Sequence, residues 1–153
     1  MTDRPPLNLP PVDLRLRMDG KLLKVFDTLR KKYVALTPEE YVRQHFTAWM
    51  IDSLGYPASL MNNEVALTLN DTRRRCDTVV FRSDGSPAVI LEYKAPTVAI
   101  TQKVFDQIAR YNMALHSHLL IVSNGLCHFC CEMEYEKDSY RFLNHIPFWS
   151  ADL

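Results

Sequence analysis

The sequence has no surplus of charge of either sign. Its 18 Lys and Arg residues equal its 18 Asp and Glu residues in number, whereas nucleic-acid-binding domains usually show a basic excess. If this protein binds nucleic acid, its basic residues must form a local patch, or a partner must contribute the rest.

Long apolar segments are also missing. No run approaches the roughly 18 residues of a membrane-spanning helix, and residues 1–6 (MTDRPP) lack the apolar core of a signal peptide. The sequence has only four cysteines, and without a secretory signal we expect them to be free thiols in a reducing compartment. We therefore expect a cytoplasmic protein that does not contact a membrane.

The composition is that of one globular domain, with 47% hydrophobic and 24% charged residues in 153 positions. Residues 1–12 contain four prolines and little periodicity, which predicts a flexible lead-in to a single domain over residues 13–153. Alternation over residues 14–18, the turn signal Asp19-Gly20 and the apolar residues 22–26 predict a β-hairpin at the start of that domain.

Two helices and at least four strands are predicted after this hairpin. A capping box at residues 37–40 (TPEE) begins a helix that Gly55 ends, and a second helix is predicted over residues 101–116. The apolar stripe of the second helix is predicted to contain Val104, Ile108, Tyr111 and Leu115. Strands are predicted over residues 64–69, 75–82, 87–94 and 119–122, with more in the tail. The order helix, three strands, helix, strand predicts an α/β fold with a mixed sheet.

The strands over residues 75–82 and 87–94 are the most informative feature. If Asp84-Gly85 is a two-residue type I′ loop, the register places Asp77 opposite Glu92, with Lys94 on the same face. Both strands are apolar on both faces between these residues and the turn, which predicts cover on both sides.

Two facing carboxylates beside a covered core repel each other and lose hydration. A divalent cation compensates such a pair, and Mg²⁺ (or Mn²⁺) binds one or two carboxylates while it keeps several waters. Such a cation can polarise a phosphate oxygen and orient water, and Lys94 can stabilise charge at the reacting phosphate. The alternative interpretation is a surface salt bridge between Lys94 and Asp77 or Glu92.

Several segments resemble a known family. Asp77 followed by Glu92-Tyr93-Lys94 resembles the core of PD-(D/E)xK nucleases, and residues 107–111 (QIARY) resemble the QxxxY motif of the RecB-like branch. Three segments are similar to the N-terminal nuclease domain of type I restriction enzyme R subunits: residues 36–44 (LTPEEYVRQ), 92–96 (EYKAP) and 123–125 (SNG). The similarity extends from about residue 14 to residue 149.

The resemblance implies a restriction-endonuclease-like three-layer core, in which helices flank a central mixed sheet. It implies metal ligation by Asp77 and Glu92, the catalytic lysine role for Lys94, and supporting roles for Gln107 and Tyr111. The implied activity is metal-dependent endonucleolytic hydrolysis of DNA, with DNA and other restriction-modification or helicase subunits as partners. The sequence has neither a P-loop nor the length of a motor domain, so translocation is not expected of it.

A second interpretation belongs to a different functional class. The chain would be a non-catalytic nucleic-acid-binding or assembly module that keeps the nuclease fold. Zero net charge favours this module, whereas the complete set of Asp77, Glu92 and Lys94 favours an enzyme. The sequence leaves the oligomeric state open.

Further residues are candidates for the site, each with a structural alternative. Glu64 and Glu40 are additional acids that a metal could use, although the capping box also explains Glu40. Arg73, Arg74 and Arg75 are candidate phosphate contacts that could equally be a solvated strand end, and Arg43 is a further candidate phosphate contact. Residues 127–131 (CHFCC) lack a second Cys/His pair at zinc-finger spacing, so we expect buried thiols and no zinc there.

Overall fold

A computed structural model describes residues 4–153. Its elements are β1 Leu16–Asp19, β2 Leu22–Asp27, β3 Lys32–Ala35, α1 Pro38–Asp52, β4 Met61–Leu69, β5 Thr72–Phe81, β6 Pro87–Tyr93, α2 Gln102–Met113, β7 Leu119–Ser123, β8 His128–Glu134 and β9 Ser139–Phe142. The predicted order of helix, three strands, helix and strand is confirmed. No helix in this part of the chain combines the length and the apolar character needed to cross a membrane.

The central sheet has six strands in the order β4-β5-β6-β7-β8-β9. β6 and β7 are parallel, and the other neighbouring strands pair antiparallel, so the sheet is mixed, as predicted. A parallel pair needs a crossover connection, and α2 provides it. α2 therefore returns over the sheet beside the end of β6.

The two helices cover opposite faces of this sheet. Side chains alternate between the faces of a strand, so β5 and β6 contribute to two separate cores. The core on the α1 side includes Phe46, Met50, Val80, Val89 and Leu91. The core on the α2 side includes Phe105, Ala109, Val79, Ile90 and Leu120. The predicted α/β arrangement, with a sheet covered on both faces, is confirmed.

The loop between β5 and β6 differs from the predicted two-residue turn. Gly85 N donates to Arg82 O at 2.9 Å, and Arg82 N donates to Ser86 O at 2.8 Å. Gly85 has a left-handed φ of +88°. The loop is therefore a type I turn followed by a left-handed glycine, which is a longer hairpin connection than type I′.

The predicted register nevertheless holds in the body of this hairpin. The longer loop offsets the strands by one residue, and an irregularity between Val80 and Phe81 reverses the offset. Thr78 consequently pairs with Leu91, the register that had been predicted from a different turn. Asp77 and Glu92 are the next residues of the two strands.

The buried face of α2 is rotated from the predicted stripe. Phe105, Ala109 and Asn112 are the buried residues of this helix, whereas Tyr111 is 47% exposed. The Phe105 ring contacts three aromatic rings of β8 and β9, namely Phe129, Tyr140 and Phe142. These partners are distant in sequence, so the periodicity of the helix alone could not show which of two adjacent stripes would be buried.

A second sheet, with strand order β1-β2-β3, precedes α1. The predicted hairpin is confirmed, with Asp19 paired to Leu22. The short strand β3 was not predicted. Residues 1–3 of the predicted flexible lead-in lie outside the described residues, while Asn8 N donates to Gly125 O at 2.8 Å. Flexibility of the lead-in stays a prediction.

Candidate active site

Glu92 and Lys94 open on a cleft of about 240 Å³ between the end of β6 and α2. Gln107 and Tyr111 line the same cleft from α2, and Arg75 lines it from β5. The crossover connection produces this arrangement, because α2 passes beside the strand end that carries Glu92. Four of the five residues predicted to form the catalytic set thus line one cleft, together with the predicted phosphate contact Arg75, whereas Asp77 is not in its lining.

Asp77 contacts Glu92 where the β5–β6 ladder ends. Asp77 Oδ2 accepts a hydrogen bond of 2.8 Å from Tyr93 N. The last backbone pair of the two strands is Thr78 with Leu91, so this side chain gives the Tyr93 N–H a partner beyond the end of the ladder. The Asp77 carboxylate is also close enough to Glu92 to raise the pKa of Glu92. The proximity of Asp77 and Glu92 that the register predicts is therefore present.

The surroundings of the Glu92 side chain destabilise its charged form. Burial raises the pKa of Glu92, and the neighbouring Asp77 carboxylate raises it further, to about 9, against a smaller lowering effect of Lys94. Glu92 Oε1 is buried and has no hydrogen-bond partner among residues 4–153. A buried acceptor without a donor costs free energy, so this position favours a proton or a cation next to Glu92.

Lys94 is anchored by its backbone and not by an ion pair. Lys94 N donates to Ser123 O of β7 at 2.9 Å. No salt bridge within residues 4–153 includes Lys94. The alternative interpretation, a surface salt bridge to Asp77 or Glu92, is therefore not found, and the ammonium group is free for a ligand in the cleft.

Tyr111 belongs to the wall of the cleft and not to the core. The Arg74 guanidinium lies 4.5 Å from the centre of the Tyr111 ring, and Arg74 Nε donates to Tyr111 O at 3.0 Å. The prediction that Tyr111 forms part of the buried stripe is wrong, because the helix buries the adjacent stripe instead. Gln107, one turn earlier, is exposed and lines the cleft with it.

Arg43 is the buried centre of an ion-pair network that was not predicted from the sequence. Arg43 Nη2 donates to Glu40 Oε1 at 3.0 Å and to Glu64 Oε1 at 2.7 Å. Its Nη1 donates to the Asp77 carbonyl oxygen at 2.5 Å. The Arg43 side chain is 6% exposed, so the predicted phosphate contact of Arg43 is corrected: its donors bind groups inside the protein. The three-residue spacing of Glu40 and Arg43 on a helix was the available signal.

Glu40 and Glu64 are the acids of this network. Thr37 caps α1, with Glu40 N donating to Thr37 Oγ1 at 3.1 Å, but the Glu40 carboxylate accepts hydrogen bonds from Arg30, Arg43 and Gln44. Glu64 binds both Arg43 and Arg75. Because arginines already neutralise both carboxylates, we assign Glu40 and Glu64 to this network and not to the predicted metal site.

The three consecutive arginines of β5 have different surroundings. Arg75 is 70% exposed and pairs with Glu64 at 3.1 Å, Arg74 is stacked on Tyr111, and Arg73 is exposed. Phosphate contacts by Arg73, Arg74 and Arg75 stay predictions.

The donors at Asp77 and Glu92 suit a hard cation. No group of three His, Cys, Asp or Glu side chains within residues 4–153 could hold a metal, so a cation here would have two protein carboxylates and otherwise water, a set that Mg²⁺ accepts. The unpartnered Glu92 Oε1 fits this use. The sulfur ligands that zinc prefers are not gathered: Cys130 and Cys131 belong to opposite cores, and the four cysteines are free thiols.

Residues 38–147 match the family described as type I restriction enzyme R protein N terminus. This chain belongs to that family. Among solved structures, it is similar to a fragment assigned as an HsdR subunit of a type I restriction enzyme from Vibrio vulnificus YJ016, with a TM-score of 0.51 and 18% identity. The similarity covers 76% of this chain and 24% of that chain, so this chain spans about a quarter of the other. No curated protein matches.

At 18% identity the structural similarity bears on the fold alone. The fold is restriction-endonuclease-like, as predicted, and the chain is the N-terminal type of domain found in type I R proteins.

Proposed function

We propose that this domain hydrolyses DNA phosphodiester bonds with Mg²⁺ or Mn²⁺. The observation that carries the proposal is that the acids and the lysine of the cleft are not paired with each other. A buried Glu92 oxygen without a hydrogen-bond partner lies next to Asp77, and Lys94, which forms no salt bridge among residues 4–153, opens on the same cleft. A purely structural site would pair these groups with each other or with arginines, since uncompensated buried charge is costly.

Asp77 and Glu92 would hold the cation. When bound there, a divalent cation supplies Lewis-acid polarisation of the scissile phosphate and lowers the pKa of a coordinated water. The raised pKa of Glu92 means that this residue must lose a proton before it can ligate. Metal affinity should therefore increase with pH.

Lys94 would stabilise the charge that develops on the reacting phosphate. Its ammonium group has no competing carboxylate partner among the described residues, which keeps its donors free for a phosphate oxygen. Gln107 and Tyr111 offer an amide and a hydroxyl group on the opposite wall of the cleft. These two groups would position the phosphate or the attacking water.

The family implies further proposals about partners and location. As an R protein N-terminal domain, the chain would act on DNA together with other restriction-modification subunits. We propose a cytoplasmic location, in keeping with four free thiols.

The decisive experiment is cleavage of supercoiled and linear DNA by the purified chain, with Mg²⁺, with Mn²⁺ and with EDTA. We expect cleavage with a metal ion and none with EDTA. Lys94→Ala should lower the rate on the order of a hundredfold or more, while Lys137→Ala is the matched control. Lys137 is 77% exposed and pairs with Glu134, so its removal should leave the rate unchanged.

The outcome separates the enzyme from the binding module. If wild-type protein binds DNA and a divalent cation but never cuts with either metal, the non-catalytic module replaces the nuclease. If Lys94→Ala cuts as fast as wild type, the proposed role of Lys94 is wrong.

A further inference from the structure

Basic residues are concentrated in the segment that forms β1, β2 and β3. Residues 13–35 contain seven of the chain's 18 Lys and Arg residues but only three of its 18 Asp and Glu residues. The rest of the chain is consequently acidic on balance. The zero net charge therefore conceals a basic region, and this region lies outside residues 38–147, which match the family.

Most of these cations are free for a ligand. Five are exposed and take part in no salt bridge within residues 4–153. They are Arg15, Arg17, Lys21, Lys31 and Lys32. The remaining two have partners, since Lys24 pairs with Asp19 and Arg30 pairs with Glu40. By comparison, Arg74 and Arg75 beside the cleft are already bound to Tyr111 and Glu64.

Two of the free arginines lie over aromatic rings on one face of this sheet. The Arg15 guanidinium lies 4.5 Å from the centre of the Phe26 ring, and the Arg17 guanidinium lies 4.1 Å from the centre of the Tyr33 ring. Phe26 and Tyr33 pair across the strands, and their rings contact each other at 5.3 Å. A stacked guanidinium keeps its N–H donors at the edge, where they suit phosphate oxygens.

This arrangement favours phosphates over bases as the ligand. Aromatic rings on a nucleic-acid-binding sheet normally stack on bases, but here arginines cover both rings. The surface therefore offers positive charge and N–H donors with no ring free for stacking. Contacts of this kind fix a duplex by its backbone and carry no sequence information.

The three-stranded sheet is joined to the cleft by the buried ion-pair network. Arg30, in the loop between β2 and β3, donates to Glu40 at 2.6 Å. Glu40 binds Arg43, Arg43 binds Glu64, and Glu64 binds Arg75 at the cleft. Asn63 Nδ2 also donates to Asp27 Oδ2 at 3.0 Å, which joins β4 to the end of β2. The two surfaces thus have a fixed relative position.

We infer that the face of β1–β3 that carries Arg15 and Arg17 binds the phosphate backbone of duplex DNA without sequence preference. Lys21 and Lys31, in the turns at the two ends of β2, would extend this contact. This surface would retain DNA for the cleft. The inference rests on the proposed function in one respect, that the polyanion is DNA, and it does not depend on cleavage.

The experiment measures binding of the full chain to a fluorescein-labelled DNA duplex by anisotropy in EDTA, across a series of salt concentrations. Arg15→Ala/Arg17→Ala should bind about tenfold more weakly, and the slope of log affinity against log salt should fall by about two, one for each lost phosphate contact. Lys137→Ala/Arg141→Ala is the control with the same change of net charge, and its slope should equal that of wild type.

A second variant covers the case in which the double arginine variant fails to fold. Lys21→Gln/Lys31→Gln changes two exposed loop residues without removing a ring contact, and its salt slope should also fall by about two. Melting temperatures of all variants establish that each is folded.

The outcomes distinguish this inference from the proposed nuclease activity. If the arginine and lysine double variants of the β1–β3 sheet bind DNA as tightly as wild type, the proposed DNA-binding role of this surface is wrong, whether or not DNA is cut. Stronger binding to anionic lipid vesicles than to DNA would overturn it as well. If the sheet variants bind weakly while wild type binds DNA and never cuts, the surface stands and the nuclease proposal fails.

Discussion

Two sites in this molecule each bring two carboxylates out of full hydration, and only one of them is neutralised. Glu40 and Glu64 share the guanidinium of Arg43 and gain further donors from Arg30 and Arg75. Asp77 and Glu92 lie together with no arginine between them, and one Glu92 oxygen has no partner among the described residues. The two sites meet at Asp77, whose carbonyl oxygen binds Arg43.

The presence of arginine partners at the first site and their absence, within residues 4–153, at the second distinguish carboxylates with a structural role from carboxylates available for a ligand. Arginine keeps its charge at any accessible pH and binds two carboxylates in fixed geometry, so the first site is complete and rigid. The second site retains an energetic cost that a proton or a cation can relieve. The complete site supports the incomplete one, because Arg43 holds the backbone of the residue that carries the Asp77 carboxylate.

The largest expected effect is on the complete site. Arg43→Met should lower the free energy of unfolding by about 3–5 kcal/mol, because it leaves Glu40 and Glu64 partly buried without their shared cation. Arg75→Met removes an arginine that is 70% exposed and should cost at most about 1 kcal/mol. Urea denaturation of both variants measures the difference. Equal losses would contradict the central role of Arg43 in neutralising Glu40 and Glu64.

The incomplete site, Asp77 and Glu92, should make the free energy of unfolding depend on pH. The pKa of Glu92 is raised to about 9 in the folded protein from an ordinary value of 4.5, so between these values the folded state keeps a proton that the unfolded state releases. The contribution of Glu92 is therefore fully present below pH 4.5 and is lost as pH rises through 9.

Glu92→Gln cannot ionise and should remove this loss, on the order of 2–4 kcal/mol across that range. Urea denaturation in EDTA over a pH series measures it, with the exposed Glu39→Gln as a control. Parallel pH profiles for wild type and Glu92→Gln would mean that Glu92 does not titrate differently in the folded state.

A divalent cation should relieve the same site. Mg²⁺ or Mn²⁺ should raise the melting temperature, with about 2.7 kcal/mol of stabilisation at a concentration a hundredfold above its dissociation constant. The shift should increase with pH, because Glu92 must release its proton. Asp77→Asn should be as stable as wild type or more stable without metal, and should lose most of the shift. A shift that Asp77→Asn retains would place the cation elsewhere.

The smallest stability effects are expected on the wall of the cleft. Tyr111→Ala should cost on the order of 1 kcal/mol because the side chain is 47% exposed, and Gln107→Ala should cost less than about 0.5 kcal/mol. Phe105→Ala, a buried residue of the same helix, should cost about 3–5 kcal/mol. Both wall variants should slow DNA cleavage far more than they affect melting, and unchanged cleavage would remove their proposed role.

Local patterns predicted the elements well where a signal is contained in a few residues. The Thr37 cap and the apolar runs of β5, β6 and β7 are properties of short segments, and each element lies where expected. The predicted stripe of α2 was wrong at Tyr111, although Leu115 is buried, because two adjacent stripes are apolar enough for burial. The rings of Phe129, Tyr140 and Phe142 decide between them, and no rule relates those positions to α2 in sequence.

The sequence by itself determined that two adjacent apolar strands joined by a short turn end near Asp77 and Glu92. The register that places these two residues side by side also depends on the irregularity between Val80 and Phe81, which only the structure shows. The sequence also determined the spacing that brings Glu92 and Lys94 to one cleft. Only the tertiary structure decided which acids are neutralised. In the sequence, all four acids are ordinary carboxylates with no signal that separates them. In the structure, the Arg43 guanidinium of α1 reaches the carboxylates of Glu40 and Glu64 but not those of Asp77 and Glu92. Charge compensation acts over a few ångströms between residues that are far apart in the chain, so it is determined by packing and cannot be read from local pattern.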